Sequence, residues 1–182
     1  VREKIFSHYG KYCVCCGEEN LEFLTIDHIS NDGADHRKKI TKAAGVTIYK
    51  WLTNNNFPPG FQTLCFNCNQ AKHSNKGSCP CNSLLNIELN SYYNRVKLQV
   101  MTHCGGKCSC CFEERLWFLS IDHIAGDGHE KRKVEGTGAK LYFFLRKNNF
   151  PSGYQVLCHN CNSSKGVGKV CVHSLTFAKI VE

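Results

Sequence analysis

The sequence predicts an α+β chain of two tandem zinc-stabilised modules, each reduced to strand, strand, helix, related by a pseudo-twofold axis. Three observations predict it. Fourteen cysteines in 182 residues include four close doublets, Cys13/Cys16, Cys65/Cys68, Cys108/Cys111 and Cys158/Cys161. The stretch F-L-T-I-D-H-I-S-N-D-G at Phe23–Gly33 recurs as F-L-S-I-D-H-I-A-G-D-G at Phe118–Gly128. Equivalent residues lie 95 apart up to Gly33/Gly128; after a two-residue gap, Tyr49/Tyr142, Cys65/Cys158 and Asn69/Asn162 lie 93 apart. The modules are placed at 1–95 and 96–182, with a linker helix from about 82. Two copies are too few for a solenoid. They suit a homodimer fused into one chain, a monomer acting as a pseudo-dimer.

Taken in order, residues 1–9 read as a helix stopped by Gly10. The second module opens on its counterpart, an irregular apolar face from Leu84 to Thr102 stopped by Gly105-Gly106. A cysteine knuckle follows, then a strand over about Leu21–Asp27. Next comes a polar loop carrying Arg37-Lys38-Lys39, matched by Lys131-Arg132-Lys133. A short helix with Ile48, Tyr49, Trp51 and Leu52 is matched by Leu141, Tyr142, Phe144 and Leu145, and Asn-Phe-Pro ends each. A second strand covers about Phe61–Cys65. The second CxxC then opens a helix through Asn69 and Lys72.

The cysteine count is even, so a secreted disulfide framework is the alternative to metal. The CxxC spacing favours zinc, one ion on Cys13, Cys16, Cys65 and Cys68, another on Cys108, Cys111, Cys158 and Cys161. A reducing compartment, cytoplasm or nucleus, follows. A module of about 90 residues buries only a little over half its unfolded surface, and a structural zinc contributes on the order of 10 kcal/mol or more to folding. Cys15 with Cys79 and Cys81, matched by Cys110 with Cys171 and His173, leave open a second zinc per module or plain thiols. No run of apolar residues approaches a membrane span. The formal net charge of +8 points to a polyanionic partner; two Zn(Cys)4 centres, each −2, would take it to +4.

Each repeated strand ends on an Asp-His pair, Asp27-His28 and Asp122-His123. Asp is a hard oxygen ligand for Mg²⁺ or Mn²⁺, and a neutral His takes a proton from water near pH 7. Asn69 and Asn162 directly follow the last zinc cysteine. Their place on the first helical turn brings an amide oxygen toward the Asp; the alternative is a helix cap.

CxxC, an apolar strand ending in Asp-His, and L-C-x-N-C-N-x-x-K together resemble the HNH endonuclease family with its ββα-metal fold, over about 8–78 and 103–170. The resemblance implies that Asp27 with Asn69, and Asp122 with Asn162, hold a catalytic divalent ion, Mg²⁺ or Mn²⁺. It implies that His28 and His123 are general bases. Double-stranded DNA would be the partner, cut site-specifically, one active site per strand, in a homing or restriction setting, leaving 5′-phosphate and 3′-hydroxyl ends. DNA contacts are expected from Arg37, Lys38, Lys39, Lys72, Arg132, Lys133 and Lys165. One departure stands out. Where many family members carry an Asn that braces the catalytic loop, this chain has Gly60 and Gly153; Asn31 is a substitute whose counterpart is Gly126. The difference between His36 and Lys131 is read as a difference in half-site recognition. The rival functions are a non-catalytic zinc-dependent DNA- or RNA-binding protein, and a nickase with one decayed site.

Overall fold

A computed structural model describes residues 1–40, 46–82, 91–166, 168 and 171–174. Among them the protein is mixed α+β. It divides into two compact units, Val1–Ser83 and Leu84–Glu182. The division falls before the helix that opens the second unit, not at 95/96.

The first unit runs α1 (Arg2–Tyr9), β1 (Leu24–His28), α2 (Gly33–Ile40), α3 (Val46–Asn54), β2 (Phe61–Cys65) and α4 (Phe66–Ser74). The second repeats the order as α5 (Tyr92–His103), β3 (Leu119–His123), α6 (Gly128–Glu135), α7 (Ala139–Lys147), β4 (Tyr154–Cys158) and α8 (His159–Gly166). Of the helix expected over 84–102, residues 84–90 lie outside the described residues.

Each unit contains one two-stranded antiparallel sheet. Its register is the same in both: Leu24 faces Cys65 and Asp27 faces Gln62, as Leu119 faces Cys158 and Asp122 faces Gln155. The strand ends are therefore fixed together, the cysteine end at the four-cysteine cluster and the Asp-His end away from it. A hairpin of this size is marginal alone. It is held by apolar residues from the opening helix and the strands, with Ile5, Phe6, Leu24 and Leu64 almost fully buried in the first unit and Val96, Val100, Leu119 and Val156 in the second. Complete burial of such a side chain contributes about 1.5–3 kcal/mol.

The basic segment expected as a loop is helical in both units. α2 and α6 have an acidic residue in the first turn and arginine and lysine in the last, which complements the helix dipole. α6 stops at Gly136, whose φ of 78° is accessible to glycine at little cost. These helices carry almost no apolar stripe, so the periodicity that marks a helix in sequence is missing. No helix among the described residues is long and apolar enough to cross a membrane.

Candidate functional site

The eight expected cysteines assemble as predicted. Cys13, Cys16, Cys65 and Cys68 have all sulfurs within 4.8 Å of one another, as do Cys108, Cys111, Cys158 and Cys161. The Cys16–Cys65 and Cys111–Cys158 sulfur separations are both 3.7 Å. A zinc–sulfur bond of about 2.3 Å in a tetrahedron gives an edge of about 3.8 Å, so both clusters are compatible with structural zinc. Without an ion the four sulfurs do not all ionise: hydrogen bonds from Cys16, Cys65 and Cys68 hold the Cys13 thiol far below its ordinary range, while Cys13, Cys16 and Cys65 push Cys68 far above. A bound cation is what would let all four be thiolates.

The cysteine clusters sit where β2 runs into α4 and β4 into α8. This turn sets the position of the first helical residues, including Asn69 and Asn162. In the first unit Asp27, His28 and Asn69 line one cavity of about 520 Å³, together with Arg37, Asn31 and Gly33. In the second, Asp122, His123 and Asn162 line a cavity of about 420 Å³ with Arg132, Gly128 and Lys165. The six residues expected to carry chemistry thus meet three and three.

The aspartate is tied from two sides. Gln62 Nε2 donates to Asp27 Oδ2 at 2.7 Å and Lys72 Nζ to the same oxygen at 2.5 Å. Gln155 and Lys165 make the equivalent bonds to Asp122 Oδ2 at 2.8 and 2.6 Å. Both bonds fall on Oδ2, which leaves Oδ1 for a cation. In the second unit Asn162 Nδ2 donates to Ser120 Oγ at 3.0 Å, which leaves the amide oxygen as the group available to an ion. One carboxylate and one amide oxygen fit a hard divalent cation that keeps most of its waters.

Lys72 and Lys165 are engaged inside their own units. Each was expected on DNA, yet Lys72 is only 7 % exposed. Besides the aspartate, its Nζ donates to the carbonyls of His28 at 2.8 Å and Ile29 at 3.3 Å; Lys165 does so to His123 and Ile124 at 2.7 and 3.3 Å. The lysine therefore braces the loop after the strand, the task for which no asparagine was found. The backbone helps, with Ile29 N–H donating to the Gly60 carbonyl and Ile124 N–H to that of Gly153, both at 3.0 Å. The Asn31 side-chain amide packs on Gly77, and Asn31 lines the cavity with Asp27 and His28. Of the remaining basic residues, Lys38 is paired with Asp35 at 3.0 Å. Lys39 and Lys133 are exposed.

Each histidine has a partner that the sequence did not reveal. His123 Nε2 lies 2.7 Å from Glu135 Oε2, and Tyr154 hydroxyl donates to Glu135 Oε1 at 2.8 Å. His28 Nε2 lies 2.7 Å from His36 Nδ1. Burial, with His36 second, holds the His28 imidazole below its usual pKa. His36 therefore supports His28. The brace comes from α2 in one unit and α6 in the other, one turn apart: Lys131 is the equivalent of His36, and Glu135 lies four residues on, on the same helix face. The other ring nitrogen looks at a glycine. A Cβ built at Gly128 would stand 2.7 Å from His123 Nδ1, and one at Gly33 3.0 Å from His28 Nδ1. A side chain at either position would crowd that nitrogen.

No protein-family model matches the chain, and no curated protein or solved structure matches it.

Proposed function

We propose that the chain is a metal-dependent endonuclease of the HNH kind. It would consist of two tandem ββα-metal modules with one active site per unit, and cut both strands of a specific double-stranded DNA site. The observation that carries this reading is the twice-built histidine: Nε2 taken by an internal partner, Nδ1 open beside a glycine, at a cavity shared with an aspartate and an asparagine.

Tautomer logic supports a base at Nδ1. The Glu135 carboxylate accepts only, so it holds the His123 proton on Nε2 and leaves the Nδ1 lone pair facing the cavity. That nitrogen takes a proton from water as it attacks phosphorus. Arg132, on the cavity wall, supplies a fork of N–H donors for phosphoryl oxygens. A divalent cation on Asp122 and Asn162 would supply neutralisation of the charge that develops on phosphate and leaving oxygen. The first unit has the same parts in Asp27, Asn69, His28 and Arg37. Its base is conditional: His28 Nδ1 is free only when His36 accepts at its own Nδ1. The second unit is therefore the faster of the two.

Incubation of supercoiled plasmid with the protein in Mg²⁺ or Mn²⁺, with and without EDTA, tests the activity. Nicked and linear DNA that disappear with EDTA support it. Intact plasmid under every divalent ion, with DNA still retained in a gel shift, points instead to a zinc-dependent binding protein.

A further inference from the structure

Five cysteines and one histidine remain near the two tetrahedra without a part in them. In the first unit Cys15, Cys79 and Cys81 gather around Cys68, all four sulfurs within 4.8 Å of one another. In the second, Cys110 and Cys171 gather around Cys161 within the same limit; His173 stands just outside that group, its Nδ1 3.2 Å from Cys161 Sγ and its ring also hydrogen-bonded to Cys111. Cys68 and Cys161 occupy equivalent positions, and each already belongs to the inner group.

We propose that each unit holds a binuclear zinc–thiolate centre in which one cysteine, Cys68 or Cys161, bridges two ions. The outer ion is completed by Cys15, Cys79 and Cys81 in the first unit and by Cys110, Cys171 and His173 in the second. Each ion then has four ligands drawn from sulfur and imidazole, the number and chemistry that closed zinc sites use. The bridging thiolate lies in the first turn of α4 or α8, where the helix dipole favours negative charge; Cys68 N–H donates to Cys65 Sγ at 3.4 Å. The assignment occupies thirteen of the fourteen cysteines, leaving Cys104, whose counterpart is Tyr9.

Cys15 and Cys81 are joined as a disulfide in the structure. Three observations favour thiolates on zinc. Their Cα atoms are 7.0 Å apart, beyond the usual span of roughly 4.4–6.8 Å. The counterpart of Cys81 is His173, which ligates zinc as readily as cysteine but forms no disulfide. Cys110 and Cys171 are free thiols in the equivalent place.

The test is metal content of the full chain, purified with zinc under reductant, and is independent of nuclease activity. Four zinc ions per chain are expected, one for each of the four clusters. Cys79→Ser and Cys171→Ser each lower the count by one, whereas Cys81→His, which installs the second unit's ligand, keeps all four. In protein loaded with ¹¹³Cd, each bridge appears as a resolved cadmium–cadmium scalar coupling. Four ions without coupling would overturn the bridge. A count of two would overturn the outer sites.

Discussion

The Gly128→Ala variant separates a catalytic role for the histidine from a packing one. The glycine begins α6 at an ordinary helical φ, so alanine there brings no backbone strain and gains up to about 1 kcal/mol of helix preference. What it disturbs is Nδ1. The added methyl would stand 2.7 Å from that nitrogen, against the 3.4 Å at which ordinary contact begins, so the imidazole must move by about 0.7 Å. At Gly33 the distance is 3.0 Å and the shortfall about 0.4 Å. A displacement near 1 Å in a reacting geometry costs about 10²-fold. Gly128→Ala should therefore slow the second unit by about 10- to 100-fold, equivalent to about 1.4–2.7 kcal/mol of barrier. Gly33→Ala should slow the first by less than about tenfold. Each is measured in a background that silences the other unit, Gly128→Ala with His28→Ala and Gly33→Ala with His123→Ala, as the initial rate of plasmid nicking. Thermal unfolding and zinc content verify the fold. Parent-level nicking by Gly128→Ala, or a larger loss at Gly33 than at Gly128, would refute a proton transfer at Nδ1.

Other outcomes follow from the same contacts. Glu135→Ala should cut the nicking rate of the second unit by about 10²-fold or more, within the range ascribed to general bases, while Glu135→Gln, which keeps an acceptor, should retain most of it; equal rates for the two would contradict tautomer control. Lys72→Met should destabilise the first unit by about 3–5 kcal/mol, because it strands a buried carboxylate, and Lys165→Met the second by about 1 kcal/mol, since that lysine is 34 % exposed and water screens the pair; urea unfolding of the zinc-loaded protein reads both. Burial, with Lys97 second, pushes His159 down to about 4. A histidine depressed in the folded state contributes stability that is complete above the unfolded pKa of about 6.5 and lost as pH falls from there toward 4, about 3 kcal/mol in all. His159→Phe, which copies Phe66 of the first unit, should flatten that decline relative to wild type.

How far the sequence could be read depended on whether a signal was local. The strands, the zinc cysteines and the Asp-His-Asn sets were legible because each rests on fixed spacing repeated in both halves. α2 and α6 were not, because a helix exposed on nearly every side has no apolar period to betray it. The loop-bracing bonds of Lys72 and Lys165 were not legible because a lysine in a basic chain looks like a phosphate contact; the pointer was that it lies three residues after the site asparagine, on the same helix face. The histidine braces were hidden for another reason. His36 and Glu135 occupy different positions in the two repeats, so comparison of equivalent residues finds Lys131 and Ile40 instead.

Two sites that each cut one strand should show themselves in single-turnover digestion of supercoiled plasmid in Mg²⁺ or Mn²⁺ with wild type, His28→Ala, His123→Ala and the double variant. Wild type should give linear DNA, each single variant nicked circles, slower with His123→Ala, and the double variant intact plasmid. Linear DNA from either single variant at the wild-type rate, or nicking by the double variant, would contradict cleavage by two such sites.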